Sequence, residues 1–222
     1  MSESNNSEGK EFPILGGLLF LLYSIKWSQL RGWIRGLVKR LEGGEMLSLT
    51  LRRIFSLHHQ VEVALYSGGG AFIPGNLAPM TKVGRYCSIA FTARSFNANH
   101  PMNLKSSSAL FYNPAMGYAK KDLLTRTALT IEHDVWMGHN AVILPTVSHI
   151  STGVVIGAGA VVHQDAPPYA VVVGHPARAV RYRFSKEIIK DLLASRWWEK
   201  PLVELLPEIE EYQRPLEGEE IR

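Results

Sequence analysis

The sequence predicts a mainly β fold built as a solenoid, and a short repeat carries this prediction. Nine six-residue units start with an aliphatic residue and have a small or β-branched residue in fifth place. A period of six fits neither a helix nor a simple strand, because these repeat about every 3.6 and 2 residues. Each unit buries its apolar residue only when a neighbour stacks on it, which is typical of solenoids. The units begin at Leu77, Val83, Ile89, Ile131, Met137, Ile143, Ile150, Ile156 and Val162.

The order of these units predicts triangular coils. Six residues provide one short strand and one corner, so three units close one coil. The units form groups at residues 77–94, 131–148 and 150–167, and His149 is one extra residue between the last two groups. We therefore expect a local bulge at His149 and a solenoid domain over residues 59–183.

The repeat is interrupted over residues 95–130. Aromatic residues, asparagines and prolines stand where the units need aliphatic residues, as in Ser95-Phe-Asn-Ala-Asn-His-Pro-Met. We expect a long loop that leaves the solenoid wall. Long loops on regular scaffolds often carry function, so this loop is a candidate site.

Composition narrows the class of protein. The chain has 222 residues, enough for one sizeable core with appendages. Its 24 basic and 20 acidic residues leave a net charge of +4, which is too small to indicate a nucleic-acid partner. The single cysteine excludes an internal disulfide framework and suits a reducing compartment, so we expect a cytoplasmic protein.

The first part of the chain predicts helices. Residues 1–11 are polar and are expected to form a disordered tail, and residues 12–58 are expected to form a helical segment. The apolar run from Phe12 to Ile25 is shorter than the roughly 20 residues that span a bilayer as a helix. A basic amphipathic helix follows it, so residues 12–41 could contact a membrane surface peripherally. Alternatively, the helix packs on the solenoid or on a partner subunit.

The last part of the chain, residues 184–222, predicts a C-terminal helix and an acidic tail. Ser185 can cap this helix, and apolar residues from Ile188 to Trp197 recur on one face. We expect the helix to cover the open end of the last coil, because an uncovered coil invites end-to-end association.

Five motifs resemble one protein family in order and spacing. The chain is similar to the hexapeptide-repeat acyltransferases, and most similar to their xenobiotic acetyltransferase branch. The resemblance implies a left-handed parallel β-helix as the catalytic domain, a homotrimer, acetyl-CoA bound in the groove between two copies, and a loop histidine that meets the thioester. The motifs are Tyr86-Cys-Ser-Ile-Ala, Asn97-Ala-Asn-His-Pro-Met, Asp134-Val-Trp-Met-Gly, Pro168-Tyr-Ala-Val-Val-Val-Gly-His-Pro-Ala and Arg196-Trp-Trp.

His100 is the candidate catalytic residue. A thioester is already activated, so the difficult step is to make a neutral hydroxyl nucleophilic. An imidazole can remove that proton near neutral pH and return one to the thiolate leaving group. Cys87 is the rival nucleophile, but it occupies a fifth place that requires a small buried side chain, where cysteines are usually inert.

The resemblance also assigns residues to acetyl-CoA. It implies that Trp136 lines the pantetheine channel and that Ala158 leaves room for the pantetheine, while the guanidinium groups lie near the adenosine phosphates. Alternatively, Trp136 is an exterior aromatic residue at a subunit contact. The two arginines could likewise be a solvated basic pair without a ligand. The predicted cofactor residues are Trp136, His139, Ala158, His163, Arg178 and Arg181.

The acceptor is less specified. Tyrosines and asparagines near the loop could hydrogen-bond a hydroxylated small molecule or a sugar, although such residues are often structural. The predicted function is direct O-acetylation in a ternary complex. N-acetylation of an amino sugar and a non-catalytic hexapeptide scaffold are the alternatives. The predicted acceptor residues are Tyr66, Asn76, Tyr86 and Asn99.

Carbonic anhydrases that bind zinc through three histidines share this kind of solenoid. Their sites need histidines on facing strands, including a pair five residues apart. His133 and His139 are six residues apart, which places them in successive units, and no histidine pair in the chain is spaced by five. We therefore expect no metal.

Overall fold

The computed structural model describes residues 9–216, which form a β-helix between two helical segments. The predicted disordered tail lies outside the described residues except for residues 9–11, where Lys10 pairs with Ser48. The helices are α1 (Pro13–Leu22), α2 (Ser28–Leu41), α3 (Leu49–His59), α4 (Lys186–Ser195), α5 (Leu202–Leu205) and α6 (Ile209–Tyr212). The strands are β1 (Val61–Val63), β2 (Gly68–Gly69), β3 (Thr81–Val83), β4 (Ser88–Ile89), β5 (Arg94–Ser95), β6 (Leu129–Ile131), β7 (Trp136–Met137), β8 (Val142–Ile143), β9 (His149–Ile150), β10 (Val155–Ile156), β11 (Val161–Val162), β12 (Ala170–Gly174) and β13 (Ala177–Tyr182).

The strands form three sheets, and each complete coil contributes one strand to each sheet. The first sheet has the order β1-β3-β6-β9, the second β2-β4-β7-β10-β12-β13, and the third β5-β8-β11. All pairs are parallel except the terminal hairpin of β12 and β13. The predicted fold class, a parallel β-helix with flanking helices and an excursion loop, is confirmed.

The first residues of the predicted units fill the interior of the β-helix. Ile131 pairs with Ile150 in the first sheet, and Met137 pairs with Ile156 in the second. These four side chains are fully buried, with at most 1% of their surface exposed. The fifth residues are buried at the corners, as Ala93, Val135, Ala141 and Ala160 show. The six-residue pattern therefore predicts the core correctly.

The predicted grouping of residues 77–94 into one coil is wrong. The first coil begins earlier with β1 and β2, and Leu77 is buried in a turn rather than in a strand. The second coil ends at Ser95, which takes the inward position opposite Ile143. Its hydroxyl accepts a hydrogen bond from the Ala78 amide at 2.9 Å, so a polar residue occupies an aliphatic position there. The loop therefore occupies residues 96–128, and it is shorter at both ends than predicted.

The predicted bulge at His149 is also misplaced. His149 lies in β9 and pairs with Thr130, in register with the rest of the first sheet. The extra residue is accommodated at Ser148, in the corner before the strand. The Asp165 carboxylate holds this corner because it accepts hydrogen bonds from the Ser148 amide at 2.8 Å and the His149 amide at 2.9 Å.

The N-terminal helices cover the open end of the first coil. Leu51, Ile54 and Phe55 of α3 are buried, and the Phe55 ring meets the Phe72 ring edge-on at 5.2 Å. Helix α3 thus packs on the solenoid. The predicted basic amphipathic helix, α2, buries Ile34 and Val38, whereas the outer face of α1 stays exposed. Within residues 9–216, no helix is both long enough and apolar enough to cross a membrane.

The C-terminal segment is not a lid over the last coil. Ser185 caps α4 as predicted, by accepting a hydrogen bond from the Ile188 amide at 3.3 Å. The β12 and β13 hairpin covers the last coil instead. After α4 the chain returns along the corner between the first and second sheets, where Trp198 stacks on His133 at 5.4 Å.

We expect Ile156→Ala to lower the free energy of unfolding by about 2–4 kcal/mol, because it removes a fully buried side chain from a close-packed column. Urea unfolding measures the change. Val180→Ala is the control, since Val180 is exposed and its truncation should change stability by less than about 0.5 kcal/mol. A loss below about 1 kcal/mol at Ile156 would show that the column is not closely packed.

Candidate functional site

His100 lies on the loop that leaves the third sheet after β5. The residue is exposed, but two contacts fix its ring. Its Nδ1 atom lies 2.8 Å from the Ser107 carbonyl oxygen and 2.7 Å from the Tyr112 hydroxyl. Tyr112 is buried, and its ring meets the imidazole nearly edge-on at 5.5 Å. The loop therefore presents a histidine with a defined orientation.

The contact with Ser107 indicates which ring nitrogen of His100 carries the proton. A carbonyl oxygen only accepts hydrogen bonds, so the contact favours the neutral tautomer in which Nδ1 is the donor and the Tyr112 oxygen is a second acceptor. The other nitrogen, Nε2, then has a free lone pair. A lone pair on an oriented, exposed imidazole is the group that a general base requires.

A second group of predicted residues lies along the corner between the second and third sheets, which we call the second corner. His139 and Ala158 occupy equivalent, exposed places in successive coils there. The His139 Nδ1 atom lies 3.0 Å from the Thr92 hydroxyl of the coil before. A Cβ atom on Gly138 would lie 2.6 Å from the Ala158 amide nitrogen, so the coils approach closely at this corner.

The second corner leads towards a basic pair. His163 follows β11, and Arg178 lies in β13 beyond the last coil. The Arg178 guanidinium donates a hydrogen bond to His163 Nε2 at 2.8 Å, which requires that nitrogen to be unprotonated. Exposed positions thus run along the helix axis and end at an exposed cation. This arrangement suits an elongated ligand with a terminal phosphate.

Trp136 and Arg181 lie elsewhere, on the outer face of the second sheet. They line a pocket of about 620 Å³, which we call the face pocket. Asp134 and Arg183 form an ion pair of 2.8 Å in its wall. Burial raises the pKa of Asp134, while Arg183 opposes this effect. The lining residues are Tyr86, Ser88, Asp134, Val135, Trp136, Val155, Val171, Arg181 and Arg183.

The structure therefore separates three sets of predicted residues. The face pocket and the second corner occupy different surfaces of one chain, and the loop begins at Phe96, at the far edge of the third sheet. Thr92 marks the second corner and Phe96 the start of the loop, so these two places are separated by four residues, or about 13 Å of extended chain. Among residues 9–216, no hydrogen bond joins His100 to the second corner.

The four predicted acceptor residues are not brought together. Asn99 is exposed beside His100. Asn76 is only 4% exposed, and its amide donates a hydrogen bond to the Phe91 carbonyl at 2.8 Å. Tyr66 and Tyr86 stack on each other at 4.8 Å, and their hydroxyls hold the backbone of the C-terminal segment at Leu202 and Lys200.

Two residues at these sites were not predicted. Tyr112 orients His100, and Thr92 contacts His139. Tyr112 belongs to an aromatic and proline-rich part of the loop, and nothing in its spacing links it to a histidine 12 residues earlier. Within the described residues, no group of three histidine, cysteine or acidic side chains is placed to hold a metal ion.

Cys87 is a buried free thiol in the wall of the β-helix. Burial raises its pKa to about 12, and its sulfur lies 2.9 Å from the Glu132 carbonyl oxygen. The thiolate form is therefore scarce at neutral pH, and the sulfur faces the interior. This environment is that of a structural cysteine.

Comparison with known proteins identifies relatives of this chain. It is 40% identical over 129 residues to a chloramphenicol acetyltransferase of Escherichia coli, covering 55% of this chain and 61% of the relative. It is 32% identical to a probable macrolide acetyltransferase of Lysinibacillus sphaericus, covering 52% and 67%. The chain spans about three fifths of the length of the first chloramphenicol relatives. No protein-family model matches it.

A solved structure gives a weaker likeness. A hexapeptide-repeat containing acetyltransferase from Vibrio cholerae is 25% identical, with a TM-score of 0.31. The overlap covers 55% of this chain and 59% of that one.

We expect iodoacetamide to label Cys87 in the native protein at pH 8 on the order of 1,000-fold more slowly than in the urea-unfolded chain. The pKa rises from 9.0 to about 12, and reaction requires the thiolate. Mass spectrometry over a time course measures both rates. Rapid labelling of the native protein would show that the thiol is accessible and ionised.

Proposed function

Because this chain belongs to the xenobiotic acetyltransferase branch of the hexapeptide-repeat acyltransferases, we propose that it transfers an acetyl group from acetyl-CoA to a hydroxyl of a small molecule or saccharide. His100 acts as the general base, and transfer is direct, with both substrates bound. The observation that carries this proposal is the 2.8 Å contact between His100 Nδ1 and the Ser107 carbonyl oxygen, which favours the tautomer with Nε2 as a proton acceptor.

The proposed site forms between two copies of the chain in a homotrimer. The face pocket contains Trp136, and the second corner contains His139 and Ala158. A neighbouring copy can place its face pocket opposite the second corner and so create a groove. The loop of one copy then brings His100 to a thioester held along the other.

The second corner fits the shape and charge of acetyl-CoA. Ala158 leaves space for the pantetheine arm, because a larger side chain would project into the groove. Strand layers lie about 4.8 Å apart, so the positions from His139 to Arg178 extend over several layers along the axis. Arg178, and Arg181 of the face pocket, supply guanidinium groups for phosphates. The acetyl-CoA thioester supplies the activated acyl group.

The chemistry at His100 is proton transfer. Nε2 takes the proton of the acceptor hydroxyl while the hydroxyl oxygen forms a bond to the acyl carbon. The resulting imidazolium returns a proton to the departing sulfur as the carbon–sulfur bond breaks. In this charged form, Nδ1–H continues to donate to Ser107, while the nearby Tyr112 oxygen can accept as well. The loop therefore stabilises both protonation states of the base.

The acceptor is proposed only as a class. Asn99 is the predicted acceptor residue that lies beside His100, and exposed apolar residues such as Met102 and Phe111 share its loop. Such a surface suits a hydroxylated molecule with an apolar part. Two relatives are named for chloramphenicol and macrolides, which places these compounds among the acceptors to test. An amino sugar is the alternative acceptor.

A non-catalytic scaffold is the remaining alternative. A scaffold would need the stacked columns and the terminal caps, but it has no need of an oriented histidine on an exposed loop. The buried Tyr112 that fixes the His100 ring therefore favours catalysis.

We expect His100→Ala to lower turnover by about 10²- to 10⁴-fold, since it removes the general base. The rate is measured as thiol release from acetyl-CoA. The acceptors to test are chloramphenicol, macrolides, streptogramins, sugars and lipid-linked sugars. Binding of CoA and the thermal midpoint should stay unchanged. An unchanged rate with an accepted substrate would rule out the base, and no release with any acceptor would favour the scaffold.

A companion variant separates orientation from folding. Tyr112→Phe keeps the buried ring but removes the hydroxyl beside His100. We expect it to lower kcat by about tenfold with little change in KM, as a lost hydrogen bond to a charged group costs roughly 1.5 kcal/mol or more. Equal kcat values would show that Ser107 alone orients the ring.

We expect Arg178→Ala to raise the KM for acetyl-CoA by about 10-fold or more and to change kcat less, because a phosphate contact remote from the reacting atoms binds ground and transition states alike. Steady-state kinetics at varied acetyl-CoA concentration measure both constants. Arg40→Ala, which removes an exposed arginine of α2, is the control. A fall in kcat at unchanged KM would contradict this placement.

A further inference from the structure

Helix α1 presents an uncovered apolar stripe. Ile14 is 91% exposed, Leu18 53% and Leu21 67%, and Ile25 continues the line just past the helix at 49%. These positions follow one another at helical spacing. The buried residues of the helix, Gly16 and Leu19, lie on the opposite face and turn towards α3. The stripe is therefore the outward face of a docked helix.

A surface helix of this composition is unusual. Its ten residues, PILGGLLFLL, include no polar or charged side chain. Surface helices normally carry polar residues on the outward face, and a helix that is apolar all round is normally covered. Something outside the described chain therefore covers this face.

The charge around the stripe indicates what covers it. Residues 12–41 contain five basic residues and no acidic residue, and Lys26 and Arg40 are the exposed ones among the five. The stripe ends at Lys26 and Trp27, both exposed. A tryptophan beside a lysine at the end of an apolar segment is the arrangement found at membrane interfaces. The complementary surface is therefore apolar with a negative rim.

Within residues 12–41, for which the sequence predicts a peripheral membrane contact, the cations of α2 do not form the docking face. Two of the α2 cations turn inward: Arg31 donates to the Tyr23 carbonyl at 2.8 Å, and Arg35 to the Tyr23 hydroxyl at 2.9 Å. A third, Lys39, pairs with Glu45 at 3.0 Å. The two arginine contacts fix the end of α1 against α2. Arg31 and Arg35 therefore hold the apolar helix in place rather than form the docking face themselves.

The size of the stripe favours lipid over a second protein. A helix of ten residues is about 15 Å long and 10 Å wide, so its outward ridge covers on the order of 150 Å². A stable protein interface needs roughly 800 Å² from each partner. A ridge of flexible aliphatic side chains can enter the boundary of headgroups and acyl chains without a matching surface.

We propose that α1 is a peripheral membrane anchor that inserts Ile14, Leu18, Leu21 and Ile25 into an anionic lipid surface, with Lys26 and Trp27 at the headgroups. The anchor would hold the β-helix close to the bilayer, where an acceptor with an apolar part is concentrated.

Co-sedimentation of the full-length protein with vesicles tests the proposal. We expect binding to vesicles of phosphatidylcholine with phosphatidylglycerol, and weaker binding to phosphatidylcholine alone or in high salt. The double variant with Leu18→Ser and Leu21→Ser should reduce the bound fraction at least tenfold. The matched control combines Leu57→Ser and Val203→Ser, whose side chains are 66% and 65% exposed, and should bind like the unmodified protein.

Charge and folding have their own controls. Lys26→Glu should weaken binding to the anionic vesicles, whereas Lys190→Glu on α4 should not. All variants should keep the thermal midpoint and thiol-release activity of the unmodified protein, which separates this test from that of the proposed function. The proposal is overturned if the unmodified protein does not bind vesicles. It is also overturned if the Leu18 and Leu21 double variant binds them as well as the unmodified protein does. A smaller oligomer in that variant, without vesicle binding, would instead assign the stripe to a second copy.

Discussion

Each coil of this β-helix depends on the next coil for its hydrogen bonds and its apolar contacts. Strands of two or three residues are too short to be stable alone, and their amide and carbonyl groups point along the axis to neighbouring coils. Inward residues such as Ile131 and Ile150 therefore stack in continuous columns. A column that stopped without a cover would leave unpaired backbone and exposed aliphatic side chains. The α3 helix at one end and the β12 and β13 hairpin at the other both meet this need.

The same constraint determines where function can reside. The interior positions and strands are committed to stacking, so side chains are free to vary only at corners, on outer faces and in insertions. The corner between the first and second sheets is itself occupied, because Tyr66 and Tyr86 bind the returning C-terminal segment. Their backbones have positive φ, as do Asp134 and Tyr169 at the same corner, which marks it as a tight structural turn. The second corner, the face pocket and the loop remain for ligand binding.

The six-residue period predicts the columns well because every position in a column meets the same environment. It fails where a residue of another type is stabilised by a local contact, as with Ser95 and the Ala78 amide, or Ser148 and Asp165. The catalytic candidate could be predicted from its Asn-His-Pro motif, but Tyr112 could not, since their contact depends on the path of an irregular loop. Likewise, Trp136 and His139 are only three residues apart, and yet Trp136 lies on the face of the second sheet and His139 at the second corner.

This last separation has a consequence for assembly. A β-helix is a rigid rod that cannot fold back on itself, so the face pocket of one copy can lie opposite the second corner of another only when two rods lie side by side. On the proposed function, a single chain would hold an oriented base in one place and a cofactor surface in another. Loss of the contact between copies would then abolish turnover even though every side chain kept its local geometry. On this proposal, catalysis would be a property of the assembled oligomer, and the columns that keep each rod rigid would bring His100 into register with the neighbouring copy.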